Sequence, residues 1–328
     1  MGSYKETRFL PPTTPDNYTP FITYFQAFIL GLVQGVTEFL PVSSTAHMRI
    51  LPALLNHYNP SWPNDTGATF SAIAQLGPMV GIIAYFRKDL ARYVAGLARS
   101  LKAGQLFPKG DTDARLAWYV VFATLPIIVS GLALEKRIDT EYRNLYFIAG
   151  AMIVLALVLL AAEMVGKRTR RLESLTLTEA LGVGLAQALA VIPGTSRSGV
   201  TITTGLFLGL DREEAARFSF LLSVPSITLA GLYKLLKTLL PQTFGESASG
   251  AHAATVALPP TPHLSEVAGP YLFAAAVAGV FAYVVVRWLL GYLSDEKHST
   301  LPFIVYRIVL GIALILLVHL GIAVPQSH

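Results

Sequence analysis

Long apolar blocks recur along the 328-residue chain, each near the length of a bilayer-crossing helix, and they leave few folds open. A crossing helix needs about 20 mostly apolar residues. Inside lipid every backbone N–H and C=O must be bonded within the protein, so only helices and closed barrels span. The blocks lie at about 22–40, 41–55, 68–86, 116–134, 145–165, 180–193, 198–210, 217–240, 270–291 and 303–324. Charged residues make up only 14% of the chain, where soluble domains carry about 25%. The expectation is an all-α polytopic membrane protein. The absence of cysteine excludes disulfides, thiolate zinc sites and thiol catalysis.

Loop charge sets the orientation. The 87–115 loop holds Arg87, Lys88, Arg92, Arg99, Lys102, Lys109 and Arg115, and the 166–179 loop holds Lys167, Arg168, Arg170 and Arg171. Both read as cytoplasmic, and the 241–269 loop, free of Lys and Arg, reads as outside. This accounts for the net charge of +5 without nucleic-acid binding. Threading the full-length blocks between these loops gives six crossings. The 22–55 stretch then enters and leaves from the outside, and the 180–210 stretch from the cytoplasm. Both are short-segmented and broken by Pro or Gly, which predicts two re-entrant helical hairpins.

A weak internal repeat agrees with that topology. Gly31-Leu32-Val33-Gln34, followed by Pro41 and Ser43-Ser44, resembles Gly184-Leu185-Ala186-Gln187, followed by Pro193 and Ser196. Phe70-Ser71 with Pro78 resembles Phe218-Ser219 with Pro225. The copies have opposite predicted orientations, so the expected plan is an inverted-topology repeat. Residues 1–20 form a polar tail and 21–328 one membrane domain, with repeats over about 21–165 and 175–324. Such repeats place their site where the helix breaks meet.

The first break is Gln34-Gly35-Val36-Thr37-Glu38-Phe39-Leu40-Pro41-Val42-Ser43-Ser44-Thr45-Ala46-His47. Glu38 is the only charged side chain between Asp16 and Arg49. An ionisable group at bilayer depth costs about 2.5–3.5 kcal/mol on insertion scales, which marks it as a functional candidate. Gln34 lies one helical turn before it, on the same face. Ser43, Ser44 and Thr45 bring hydroxyls to a new helix start, and His47 follows Ser44 by three residues. Ser44 and His47 at that spacing suit a nucleophile and its base, with Glu38 as the alternative group to assist Ser44. The second break is Pro193-Gly194-Thr195-Ser196-Arg197-Ser198-Gly199. Arg197 is the only charged residue between Glu179 and Asp211. Gly194, Thr195, Ser196 and Ser198 add backbone freedom and hydroxyls, and a helix start beside an arginine fork suits an anion. One carboxylate, one arginine, several hydroxyls and one histidine fit phosphate-ester or phosphoanhydride chemistry.

These two motifs closely resemble the signatures of the bacterial undecaprenyl-pyrophosphate phosphatase family, also known for bacitracin resistance. The resemblance runs over about 24–320, through FSAIAQLG at 70–77, AAE at 161–163, FSFLLSVP at 218–225 and YR at 306–307. It implies an enzyme that hydrolyses undecaprenyl pyrophosphate to undecaprenyl phosphate and inorganic phosphate, recycling the carrier for peptidoglycan synthesis. By motif position it implies Glu38, Ser44, His47 and Arg197 as catalytic residues. It further implies Gln34, Ser43, Thr45, Gly194, Thr195, Ser196 and Ser198 in substrate binding, and Glu38 as a metal ligand. The family's cofactor is a divalent cation, Mg2+ or Ca2+. Gln34 and Ser71 stand where some relatives carry acids, which leaves few carboxylates for a tightly held ion. The implied setting is the bacterial cytoplasmic (inner) membrane, the site opening to the outer side, the partners membrane lipids, the lipid substrate and a second copy in a homodimer. A polyprenyl-phosphate transporter or flippase is the alternative, since inverted repeats also serve transport.

Overall fold

The computed structural model describes residues 22–63, 67–140, 144–239 and 264–321. The 1–20 tail and most of the 241–269 loop lie outside the described residues. The described residues form ten α-helices: α1 (Tyr24–Thr37), α2 (Ser44–Tyr58), α3 (Gly67–Ala103), α4 (Thr112–Thr140), α5 (Leu145–Val165), α6 (Leu177–Ala188), α7 (Arg197–Phe207), α8 (Arg212–Leu239), α9 (Leu264–Leu293) and α10 (Leu301–His319). The protein is all-α, as expected. Six helices (α3, α4, α5, α8, α9 and α10) are long and apolar enough to cross a membrane. Their outward faces carry Val80, Val129, Val154, Val280 and Val309, all more than half exposed. In water such a belt marks an interaction surface; around these helices it is the face that meets lipid.

Helix boundaries differ from the apolar blocks where polar residues continue a helix. The expected 87–115 loop shrinks to 104–111, because α3 continues to Ala103. Its 37 residues would span about 55 Å at 1.5 Å per residue, well beyond a hydrocarbon core of about 30 Å. The extension is built of good helix formers and braced by an Asp89–Arg92 pair one turn apart, and it stops at Gly104, which takes φ +64. Likewise α4 begins at Thr112 and α8 at Arg212, each led by acidic residues that suit a helix N-terminus.

The charged ends gather at one end of the bundle. Arg217 of α8 pairs with Asp89 of α3 at 2.7 Å. Arg115 of α4 donates to the Glu173 carbonyl at 2.7 Å. Glu163, near the end of α5, accepts from Arg212 of α8 and from Thr300 ahead of α10. So α3, α5 and the α9–α10 turn reach this end, while α4 and α8 start from it, and the six long helices alternate in direction.

The two short-helix pairs meet opposite ends. Arg170 binds both Glu179 at the start of α6 and the Leu208 carbonyl at the end of α7, so this pair begins and finishes at the charged end. The α1 start and the segment after α2 join each other through Gln26, which donates to the Ser61 carbonyl, and Tyr24 stacks edge-on against Phe273 early in α9. That is the uncharged end. The tips of the two pairs touch in the interior: Ser198 Oγ donates to the Leu40 carbonyl at 3.0 Å. Each pair's first helix lies against a long helix of the other half of the chain. A Cβ on Gly31 would stand 2.4 Å from the Ala274 carbonyl oxygen, and one on Gly184 would stand 2.3 Å from that of Ala123. Only glycine permits so close a backbone approach, the usual device for packing helices where lipid supplies no hydrophobic drive.

Candidate active site

Both interior turns use a serine in an unusual backbone conformation. Ser43 has φ 71 and its hydroxyl accepts from the Ala46 N–H; Ser196 has φ 66 and accepts from the Gly199 N–H. Left-handed backbone costs an L-residue roughly 1–2 kcal/mol, and a side-chain cap returns about 1 kcal/mol of it. The result is two helices, α2 and α7, each with first-turn N–H groups that have no intrahelical acceptor, starting from turns that touch through Ser198 and Leu40. Their first residues are Ser44 and Arg197.

Glu38 stands between them. It is the C-cap of α1, and its side chain is 5% exposed. Its Oε2 accepts from Gln34 Nε2 at 2.8 Å and from Ser44 Oγ at 2.6 Å. Its Oε1 faces Arg197 Nη2 at 3.5 Å. Of the two partners expected for the Ser44 hydroxyl, Glu38 therefore holds it. His47 is engaged elsewhere. Its Nδ1 lies 2.8 Å from the Ser43 carbonyl, and its Nε2 2.5 Å from the Tyr306 hydroxyl, with the two rings parallel at 4°. A carbonyl only accepts, so Nδ1 carries a proton, and Nε2 shares a hydrogen bond with the tyrosine hydroxyl.

The second turn is built to present donors. Gly194 takes φ +90, and a Cβ there would stand 2.5 Å from the Ile148 carbonyl oxygen. Thr195 is 1% exposed and its hydroxyl has no hydrogen-bond partner among the described residues. Arg197 Nε and Nη1 are buried and unpartnered as well. Ser198 closes the contact to Leu40. Thr45 is exposed in the first turn of α2. Gln34, Glu38, Ser43 and Ser44 thus come together with Ser196, Arg197 and Ser198, and α10 adds two residues to which the sequence reading gave no role. Tyr306 holds His47, and Arg307, fully buried, donates through Nη2 to the carbonyls of Gly194 and Thr195 at 3.2 and 2.9 Å. A signal for Arg307 was present: it is the only charged residue of α10, the same mark that singled out Glu38 and Arg197.

The donor set does not fit a divalent cation held by the protein. Such an ion takes several oxygen ligands, and no cluster of three His, Asp or Glu occurs among the described residues. The one carboxylate here already accepts from two donors and faces a guanidinium. What the arrangement can do is gather a highly charged anion between two helix starts and two arginines, with a hydroxyl and a carboxylate in hydrogen-bond contact beside it.

Known proteins agree with that chemistry. The chain is 44% identical over 313 residues to an undecaprenyl-diphosphatase of Pelodictyon phaeoclathratiforme, covering 93% of this chain and all of the relative. It is 44% identical to one of Chloroherpeton thalassium, covering 90% of this chain and 97% of the relative. A third, of Myxococcus xanthus, is 43% identical with 93% of each chain covered. Residues 27–313 match the family described as bacitracin resistance protein BacA, and over that span of matched sequence the chain belongs to this family.

Proposed function

We propose that this multi-pass membrane protein removes the terminal phosphate of undecaprenyl pyrophosphate, giving undecaprenyl phosphate and inorganic phosphate. The observation that carries the reading is the Ser44–Glu38 hydrogen bond of 2.6 Å, set 3.5 Å across from Arg197. Ser44 Oγ attacks the terminal phosphorus and passes its proton to Glu38 Oε2. The phosphorus–oxygen bond to the bridging oxygen breaks, and that oxygen leaves with the electron pair on undecaprenyl phosphate. Glu38 releases the Ser44 proton to solvent; water then attacks the phosphoserine with Glu38 as base, the phosphorus–Ser44 Oγ bond breaks, and Glu38 returns the proton to Ser44 as inorganic phosphate leaves. Arg197 and the first N–H groups of α2 stabilise charge on the transferring group. Gln34 orients Glu38; Ser43 and Ser196 fix the turns; Gly194, Thr195 and Ser198 shape the cradle. Thr45 borders it on the exposed side, and His47, protonated at Nδ1, braces the first turn of α2 through the Ser43 carbonyl. Any dependence on Mg2+ or Ca2+ comes with the substrate, whose pyrophosphate brings ligands that the protein lacks.

In this reading residues 21–328 make one membrane domain of two inverted repeats, and the α1–α2 and α6–α7 pairs are re-entrant hairpins. Their opposite entry ends and touching tips support it. The membrane is the bacterial cytoplasmic membrane, and the site opens outward beside α1 and α2. Carriage of lipid without hydrolysis finds no support in the relatives, which are named for a phosphatase. The test is phosphate release from undecaprenyl pyrophosphate by purified protein in detergent, with and without divalent ion, for wild type and Arg197→Ala. Turnover that collapses in the variant is expected. A folded wild type without turnover under every ion condition would sink the reading.

A further inference from the structure

Arg307 is the largest of the fully buried side chains and forms no ion pair among the described residues. Its Nη2 is used on two loop carbonyls, but its Nε and Nη1 are buried without a partner among the described residues. A buried guanidinium left half-satisfied is costly, and its persistence needs a compensating group. The free nitrogens lie against a helix start. A Cβ on Gly199, in the first turn of α7, would stand 2.6 Å from Arg307 Nη1 and 3.2 Å from Ser196 Oγ. Glycine at 199 is thus what lets the guanidinium reach the α7 N-terminus. The first N–H groups of that 11-residue helix precede its first internal acceptor.

Arg197 sits on the side of this helix start that faces Glu38 and Ser44, and it too keeps Nε and Nη1 unpartnered. One carboxylate against two guanidinium groups leaves the space net positive. A pyrophosphate has two phosphates, and only the terminal one belongs beside Ser44. Building on the phosphatase reading, we propose that Arg307, Ser196 and the first turn of α7 form a second anion subsite. It takes the phosphate that stays on the lipid, while Arg197 takes the phosphate that leaves. The lipid product and the inorganic product then occupy different subsites. Arg307 also sets specificity for a diphosphate, because a substrate with a single phosphate cannot fill both.

The test titrates the full-length protein in detergent by calorimetry with two probes, farnesyl monophosphate and orthovanadate, which mimics the transferring group at the serine. Thermal unfolding checks that each variant is folded. Arg307→Gln is expected to weaken farnesyl monophosphate at least about tenfold and leave vanadate within about twofold. Arg307→Lys, which keeps the charge and loses the fork, weakens it by about three- to fivefold. Arg197→Gln gives the reverse pattern. The proposal is overturned if wild type does not bind the monophosphate, or if both Arg307 variants bind it like wild type. It is equally overturned if both probes weaken alike in those variants, as a collapsed loop would produce. Phosphate release by wild type, run alongside, judges the parent reading separately. A protein that discriminates the probes but releases no phosphate keeps the subsite and loses the phosphatase.

Discussion

Set side by side, the turn between α1 and α2 and the turn between α6 and α7 use one backbone device for two purposes. Each ends on a left-handed serine whose hydroxyl caps the third residue beyond it, at Ala46 in one and Gly199 in the other. Each is preceded by a helix with a buried glutamine, Gln34 or Gln187. The side chains mounted on the device differ. The first turn carries Glu38 and Ser44, groups that move protons and form bonds. The second carries Arg197 with unpartnered nitrogens and a tight glycine, groups that hold charge. The difference is clearest four residues after each glutamine: Gln34 meets Glu38, whereas Gln187 is followed by Val191 and bonds Ser226 instead. A shared scaffold therefore says where an anion can sit, and the side chains decide what is done to it.

That division can be broken or sharpened by substitution. The largest effect is expected in the first turn. Ser44→Ala and Glu38→Gln should each lower kcat by about 10³-fold or more, and the double variant should be little worse than either, since the two act as a unit. Steady-state phosphate release checks it; Glu38→Gln inactive beside an active Ser44→Ala would mean that water attacks directly. Next, Arg197→Ala should lower kcat by about 10²- to 10³-fold, the usual range for losing one charge-stabilising donor, and also raise KM. An Arg197 effect confined to kcat would erase the distinction between the two turns.

Smaller effects test the device itself. Ser43→Ala and Ser196→Ala should each destabilise by about 1 kcal/mol from the lost cap, the left-handed strain being common to serine and alanine. The corresponding glycine variants should cost only a few tenths of a kcal/mol. Thermal unfolding measures both, and a large inequality between the two positions would show that the turns are not equivalent. The smallest effect lies outside both turns. Arg99 and the Ala114 N–H hold the partly buried Asp111 carboxyl down at about 2, below its ordinary 3.8. A depressed pKa adds stability that is present above about pH 4 and is lost as pH falls through about 2. Asp111→Asn should flatten acid unfolding slightly in that window and leave turnover unchanged.

Much of this comparison was legible in the sequence because bilayer depth makes polar residues conspicuous. Glu38 and Arg197 stand alone in long uncharged stretches, and Pro41 and Gly194 mark the breaks. The six long helices follow from apolar length. What periodicity did not give was pairing across the fold. Ser44 was open to His47 or Glu38 from spacing alone, and only the folded turn brings Glu38 back onto it. Tyr306 and Arg307 come from the last helix, more than 100 residues from either motif, so spacing could not link them to the turns. The extension of α3 to Ala103 was hidden by its charges, because a run that reads as a cytoplasmic loop by composition is also made of good helix formers.

The most direct test of the division of labour compares Ser44→Ala with Arg197→Ala for both binding and turnover of undecaprenyl pyrophosphate. The account predicts that Ser44→Ala binds the lipid like wild type and fails to release phosphate, while Arg197→Ala loses affinity as well as turnover. Substantial turnover by Ser44→Ala, or wild-type affinity in Arg197→Ala, would contradict it.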